Sequence, residues 1–82
     1  MRVKPLSNDL NKYLSQRNLG KKFAKQLAFF ILDPKHPSLN TEVLAPREKK
    51  VYSFRIDKKY RAIFIFTKPD EVEIVDINLH YK

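Results

Sequence analysis

Val51-Tyr-Ser-Phe-Arg-Ile56, Tyr60-Arg-Ala-Ile-Phe-Ile-Phe66 and Glu71-Val-Glu-Ile-Val-Asp-Ile-Asn-Leu79 are three runs rich in β-branched and aromatic residues, divided by the polar insertions Asp57-Lys-Lys59 and Thr67-Lys-Pro-Asp70. Period-two alternation between turn-forming residues marks half-buried strands, so the C-terminal half predicts a three-stranded antiparallel meander. A three-residue loop at Asp57–Lys59 sets Arg55 opposite Arg61. A four-residue loop at Thr67–Asp70 sets Phe66 opposite Glu71, Ile63 opposite Ile74 and Arg61 opposite Asp76. The same parity carries His80 to that charged row and gives Tyr52, Phe54, Ile56, Tyr60, Ala62, Phe64, Phe66, Val75, Ile77 and Leu79 to the other face, which needs a cover.

The cover lies upstream. Leu10, Tyr13 and Leu14 recur at helical spacing behind the capping residues Ser7 and Asn8, predicting a helix over about residues 8–18. Gly20, the one glycine, reads as the break that follows. Phe23, Leu27, Phe30 and Ile31 then form the buried stripe of a second helix, with Lys21, Lys22, Lys25 and Gln26 outside, and Asp33-Pro34 ends it. Residues 2–7 read as a short extended segment, and 33–50 as irregular, with Pro46–Lys50 an exposed basic turn. The order predicts an α+β fold: a short N-terminal strand, an αα-hairpin and the antiparallel meander, with both helices on one face of the sheet. Eighty-two residues without a repeat or linker predict a single domain, 1–82.

Composition narrows the function. At 43% hydrophobic residues the chain should fold, and no apolar run approaches the roughly 18 residues of a membrane span. The N-terminus lacks the apolar stretch of a signal peptide, so a soluble, cytoplasmic protein without membrane contact is the expectation. There is no Cys, and His36 and His80 stand far apart, which argues against disulfides and zinc; no metal or cofactor is expected. Seventeen Lys and Arg against nine Asp and Glu give +8, so the partners should be anionic.

The face away from the helices divides into a charged and an apolar half. Val51, Ile63, Ile65, Val72 and Ile74 form the apolar half, a patch large enough to imply a covering partner. Facing arginines repel unless an anion lies between them, so Arg55 and Arg61 read as a phosphate-binding row. The plainer readings stay open: a cross-strand Arg61–Asp76 ion pair, an ordinary surface His80, and solvated turns at Lys49-Lys50 and Lys58-Lys59.

Tyr52-Ser-Phe-Arg-Ile-Asp-Lys-Lys-Tyr-Arg-Ala-Ile-Phe64 and Val72-Glu-Ile-Val-Asp-Ile-Asn-Leu-His80 resemble the bacterial RelE/ParE toxin superfamily. The Phe23–Leu32 helix, the Asp33-Pro34 break and the Pro37-Ser38-Leu39 loop fit as well, so the resemblance covers residues 5–81. The terminal His80-Tyr81, followed only by Lys82, is similar to the YoeB/Txe type. The resemblance implies the toxin of a type II toxin–antitoxin system, a ribosome-dependent mRNA endoribonuclease that inhibits translation and pairs with an acidic cognate antitoxin in a hetero-oligomer. The alternatives it leaves are a ParE-like inhibitor of DNA gyrase and an inactive antitoxin-binding homologue.

Residue by residue, Arg61 matches the arginine of the family's Tyr-Arg strand, Arg55 the one in the preceding strand, and His80 and Tyr81 the terminal pair; these four are the implied catalytic residues. Lys49, Lys50, Lys58 and Lys59 would hold substrate phosphates, and Val51, Ile63, Ile65, Val72 and Ile74 would take the antitoxin. The family type carries a glutamate just ahead of a leucine in the loop before the strands. Aligned there, His36-Pro37-Ser38-Leu39 has no carboxylate, which leaves the base open between His80, Glu42 and Glu48. Cleavage by RNA's own 2′-hydroxyl needs only a base, an acid and cations around the crowded phosphorane, and a histidine titrating near pH 6.5 suits either proton role.

Overall fold

The structure, a computed structural model, describes residues 1–79. In chain order the elements are β1 (Arg2–Val3), α1 (Asn8–Gln16), α2 (Gly20–Leu32), β2 (Glu42–Val43), β3 (Val51–Arg55), β4 (Tyr60–Lys68) and β5 (Glu71–Leu79), with single 3-10 turns at Pro37–Leu39 and Arg47–Lys49. The expected meander is the centre of a wider, mixed sheet ordered β1-β5-β4-β3-β2. Its two flanking strands have only two residues each, and β1 runs parallel to β5. Backbone bonds from Arg2 N–H to Asp70 O (2.8 Å) and Lys4 N–H to Val72 O (2.9 Å) fix β1 there. Both helices cover one face, as the residue pattern predicts. Among the described residues no helix is long and apolar enough to cross a membrane.

The link between the helices is made differently from expectation. Ser7 caps α1 by accepting the Leu10 N–H on Oγ at 3.2 Å. At the other end Asn18, not Gly20, adopts the left-handed conformation, at φ 56°, and Gly20 begins α2 without a positive φ. Leu19 N–H bonds to Leu14 O (2.8 Å) and Asn18 N–H to Ser15 O (3.1 Å), the paired bonds of a Schellman motif. After Gly, Asn is among the residues that adopt this conformation most readily. The motif lets Leu14 and Leu19 enter the core together.

The buried stripe of α2 is Phe23, Gln26 and Phe30, rotated from the predicted one; Ile31 is exposed. Gln26 is thus on the inner rather than the outer side, only 7% exposed. It is admitted because Nε2 donates to Ser38 O at 2.9 Å and to Arg55 O at 2.8 Å, satisfying two carbonyls that would otherwise lack donors. One side chain therefore ties α2 to the 37–39 turn and to the end of β3.

Strand β5 departs most from prediction. Lys68 pairs with Glu71 across Pro69-Asp70, and Phe66 pairs with Val72, so the register is shifted by one residue from a four-residue loop. A one-residue shift turns a strand over, and Val72 and Ile74 accordingly lie in the core beneath the helices. The predicted five-residue partner patch is therefore reduced to Val51, Ile63 and Ile65, all partly exposed. A second irregularity follows: Phe64 faces Ile74 while Ile63 faces Asp76, which leaves Val75 without an opposite residue. This bulge restores the predicted phase, so Ile77 is buried, but Val75 and Leu79 are exposed rather than core. Phe54, Ile56, Ala62 and Phe64 complete the sheet side of the core, and Tyr52 and Tyr60 pack against it.

The β3–β4 turn is built on Asp57. Its Oδ1 accepts the N–H groups of Lys59 and Tyr60, both at 2.8 Å, and Lys22 Nζ stands 3.4 Å from Oδ2. Partial burial works to raise the carboxyl pKa; the two amides and Lys22 outweigh it and hold it below the ordinary value. A carboxyl so depressed contributes stability that is complete above pH ~4 and is lost as pH falls through the folded-state value. Asp57→Ala should therefore cost about 1 kcal/mol at pH 7 and much less at pH 2.5, read from urea midpoints; the same penalty at both pH values would contradict this account.

Candidate active site

The short β3–β4 turn sets Arg55 directly opposite Arg61, as its length predicts. The other half of the predicted row is different. Arg61 faces Asn78, and Asp76 faces Ile63. The Asp76 carboxylate turns to its own strand, accepting the Ile77 N–H at 2.8 Å and Asn78 Nδ2 at 3.3 Å. The cross-strand Arg61–Asp76 pair is thus replaced.

Arg61 instead turns toward β2. The residue is only 4% exposed. Nε donates to Ser53 Oγ at 2.8 Å, and Nη2 donates to Ser53 O at 3.2 Å and to Asn40 O. Asn40 follows the Pro37–Leu39 turn in the left-handed conformation, at φ 45°. Ser53 is wholly buried, and its small side chain leaves room for the guanidinium along the strand. Glu42 pairs with Ser53 across β2 and β3, which brings its Oε1 to 3.8 Å from Arg61 Nη2. Burial lowers the Arg61 pKa, Glu42 raises it, and Arg55 lowers it further, with a net downward shift. Nη1 makes no hydrogen bond among the described residues.

These side chains line a cleft of about 240 Å³, walled by Glu42, Ser53, Arg61 and Asn78 with Leu44, Ile63 and Leu79. A carboxylate within 4 Å of a dry guanidinium, with a second arginine across the strand, offers a proton acceptor beside fixed positive charge. That combination suits a phosphodiester whose nucleophile must be deprotonated.

Arg55 is exposed at the end of β3, next to the turn that carries exposed Lys58 and Lys59. Lys49 and Lys50 precede Val51, at the other end of the same strand, so the two lysine pairs are separated by its length. Glu48 shares the Arg47–Lys49 turn, away from the cleft, whereas Glu42 is in it. His80 and Tyr81 lie outside the described residues. Of the three candidate bases the sequence leaves open, His80, Glu42 and Glu48, the carboxylate that meets Arg61 is Glu42. Ser53, Asn40 and Asn78 carry no sequence pattern that marks them.

The fold, an αα-hairpin on one face of a mixed five-stranded sheet, is shared with YoeB/ParE toxins of known structure. The chain is similar to a YoeB/ParE toxin from Agrobacterium tumefaciens at TM-score 0.72 and 16% identity, covering 99% of this chain and 100% of that one. It is similar to YoeB in a heterotetrameric YoeB-YefM toxin-antitoxin complex from Staphylococcus aureus at TM-score 0.69 and 20% identity, covering 98% and 94%. The YoeB dimer of the same organism gives TM-score 0.63 at 21% identity over the same shares. No protein-family model and no curated protein matches the sequence.

Proposed function

We propose that the chain is the toxin of a type II toxin–antitoxin pair and that it cleaves mRNA on the ribosome. The observation that carries this reading is the Arg61 cleft, in which Glu42 lies 3.8 Å from a buried guanidinium and Arg55 stands across the strand. In the proposed reaction Glu42 takes the proton of the 2′-hydroxyl, whose oxygen attacks the adjacent phosphorus. The P–O5′ bond breaks, His80 gives its proton to the departing oxygen, and a 2′,3′-cyclic phosphate and a 5′-hydroxyl result. Arg61, through Nη1, and Arg55 stabilise the charge that builds on the phosphorane. Tyr81 stacks on a neighbouring base, and Lys58 and Lys59 hold the adjoining backbone. The +8 chain and the similar YoeB-YefM complex support an acidic antitoxin as partner in a hetero-oligomer.

The test is expression in cells with primer-extension mapping of transcripts. Cleavage within translated codons is expected, and Glu42→Gln should reduce its rate on the order of 10²- to 10⁴-fold while leaving the fold unchanged. Arrest with intact mRNA and damaged DNA would instead indicate gyrase poisoning.

A further inference from the structure

An aromatic-lined concavity is on the helix side of the sheet, toward the end of β4 away from Arg61. Helix α2 ends at Leu32, so the far end of β3 and β4 has no helix over it. A cleft of about 470 Å³ remains between that end and the 34–41 loop. Its floor is Phe30, Tyr52, Phe64 and Phe66. Tyr52 stacks on Phe64 at 5.5 Å, and Phe66 meets Tyr52 edge-on at 5.4 Å and Phe64 at 6.0 Å. Phe66 is the last rung of this ladder and is 43% exposed. The opposite wall is held in place too: the His36 ring stacks on Phe29 at 4.1 Å, and its Nδ1 accepts the Ser38 N–H at 3.1 Å. The cleft is therefore preformed, and an aromatic side chain left half in water at its mouth is an anchor without a load.

Charge decides the occupant. Lys35 lines the cleft, and no carboxylate does. Lys50 directly precedes Val51, whose partner Ile65 directly precedes Phe66, and Lys68 follows two residues on. Arg47 and Lys49 sit in the same turn as Lys50's approach to the strand. Of the nearby carboxylates, Asp33 accepts the Lys35 N–H at 3.0 Å, and Glu48 and Glu71 are outnumbered by Lys35, Arg47, Lys49, Lys50 and Lys68. Lys49 and Lys50, which are not among the residues lining the Arg61 cleft, thus stand near the open end of this apolar groove. A second copy of this chain would bring another +8 to the same rim, whereas an acidic segment is drawn to it.

We propose that the antitoxin anchors here, laying an acidic amphipathic segment across the cleft with apolar side chains on Tyr52 and Phe66 and carboxylates toward Lys35, Lys49 and Lys50. The inference rests on the toxin–antitoxin reading for the existence of that partner. It moves the docking surface from the helix-free face, where Val72 and Ile74 were expected, to the uncovered end of the helix face.

The experiment is a binding titration of the purified chain with the small acidic protein encoded beside its gene. Phe66→Asp, and Phe66→Ser as the milder variant, should each weaken the complex roughly 30-fold or more, with mRNA cleavage close to the parent's and a thermal midpoint lowered by about 4–8 °C, so that both variants remain folded in the titration. Lys49→Glu combined with Lys50→Glu should weaken it further and flatten its salt dependence. Ile65→Asp, on the helix-free face, should bind as the parent does. Unchanged affinity in both Phe66 variants overturns the proposal, as does a loss found only with Ile65→Asp. Loss of cleavage with antitoxin affinity intact would make the cleft a nucleobase site and overturn it too. A parent chain that binds no acidic protein sinks the toxin–antitoxin reading itself, and this proposal with it.

Discussion

Phe54→Ala is expected to lower the free energy of unfolding by about 3–5 kcal/mol, the usual range for a fully buried aromatic truncated to alanine. Phe54 has no exposed surface and joins the two layers: its ring lies 5.1 Å from Phe30, 6.2 Å from Phe23 and 5.9 Å from Phe64. Removing it leaves a hole bounded by three rigid rings, two on α2 and one on β4, which cannot close without moving the helix. A chain of this size has about 4–12 kcal/mol in hand, so the variant should sit near its unfolding threshold at 37 °C. Phe54→Leu keeps most of the volume and should lose roughly 1.5 kcal/mol. Phe66→Ala, at the exposed end of the same ladder, should lose about 1 kcal/mol. Denaturant midpoints at constant slope measure all three; a Phe54→Ala penalty as small as that of Phe66→Ala would show that the ladder is not the joint between the layers.

That ladder explains which parts of the fold were legible in the sequence. Phe54, Ala62 and Phe64 alternate cleanly and the three-residue turn leaves one register, so β3, β4 and the Arg55–Arg61 pairing could be read directly. Strand β5 could not be read by simple alternation because its phase changes midway. Val72 and Ile74 keep one parity and Ile77 the other, and the adjacent apolar residues Ile74 and Val75 mark where the bulge falls. Assigning a single parity put Val75 inside and Val72 outside, and the expected partner surface followed that error.

The remaining differences share a cause, which is that tertiary partners decide what local pattern leaves undecided. Gln26 reads as a solvent residue until the carbonyls of Ser38 and Arg55 arrive to take its donors. Asn18 and Gly20 are both able to end a helix, and the choice of Asn18 is made by the burial of Leu19 one residue later. Strand β2 is two residues long and has no periodicity of its own, so nothing local announces that Glu42 will lie beside Ser53. The arginines of the site were therefore visible in the sequence, whereas Glu42 was one of three candidate bases whose place beside Arg61 no local pattern revealed.

Arg61→Ala should both destabilise the chain, by about 3 kcal/mol, and remove mRNA cleavage. The stability loss follows from three charge-assisted hydrogen bonds, of which those to Ser53 Oγ and Ser53 O are buried and have no replacement donor among the described residues. Arg61→Lys separates the two roles. A lysine keeps the positive charge beside Glu42 and reaches one of these acceptors, but it lacks the planar fork that serves Ser53, Asn40 and an incoming phosphate together. It should recover part of the stability while cleavage stays down on the order of 10²- to 10³-fold, the usual effect of losing one donor aimed at developing charge. Cleavage is to be followed on stalled ribosomes and stability by urea titration, each for the parent, Arg61→Lys and Arg61→Ala. If Arg61→Lys cleaves nearly as well as the parent while remaining destabilised, the guanidinium is a strut for β2 and the catalytic charge must come from Arg55. If both quantities fall as expected, one residue holds the edge strand in place and presents that strand's Glu42 to the substrate, so the loop between α2 and β3 is shaped by the group it helps in catalysis.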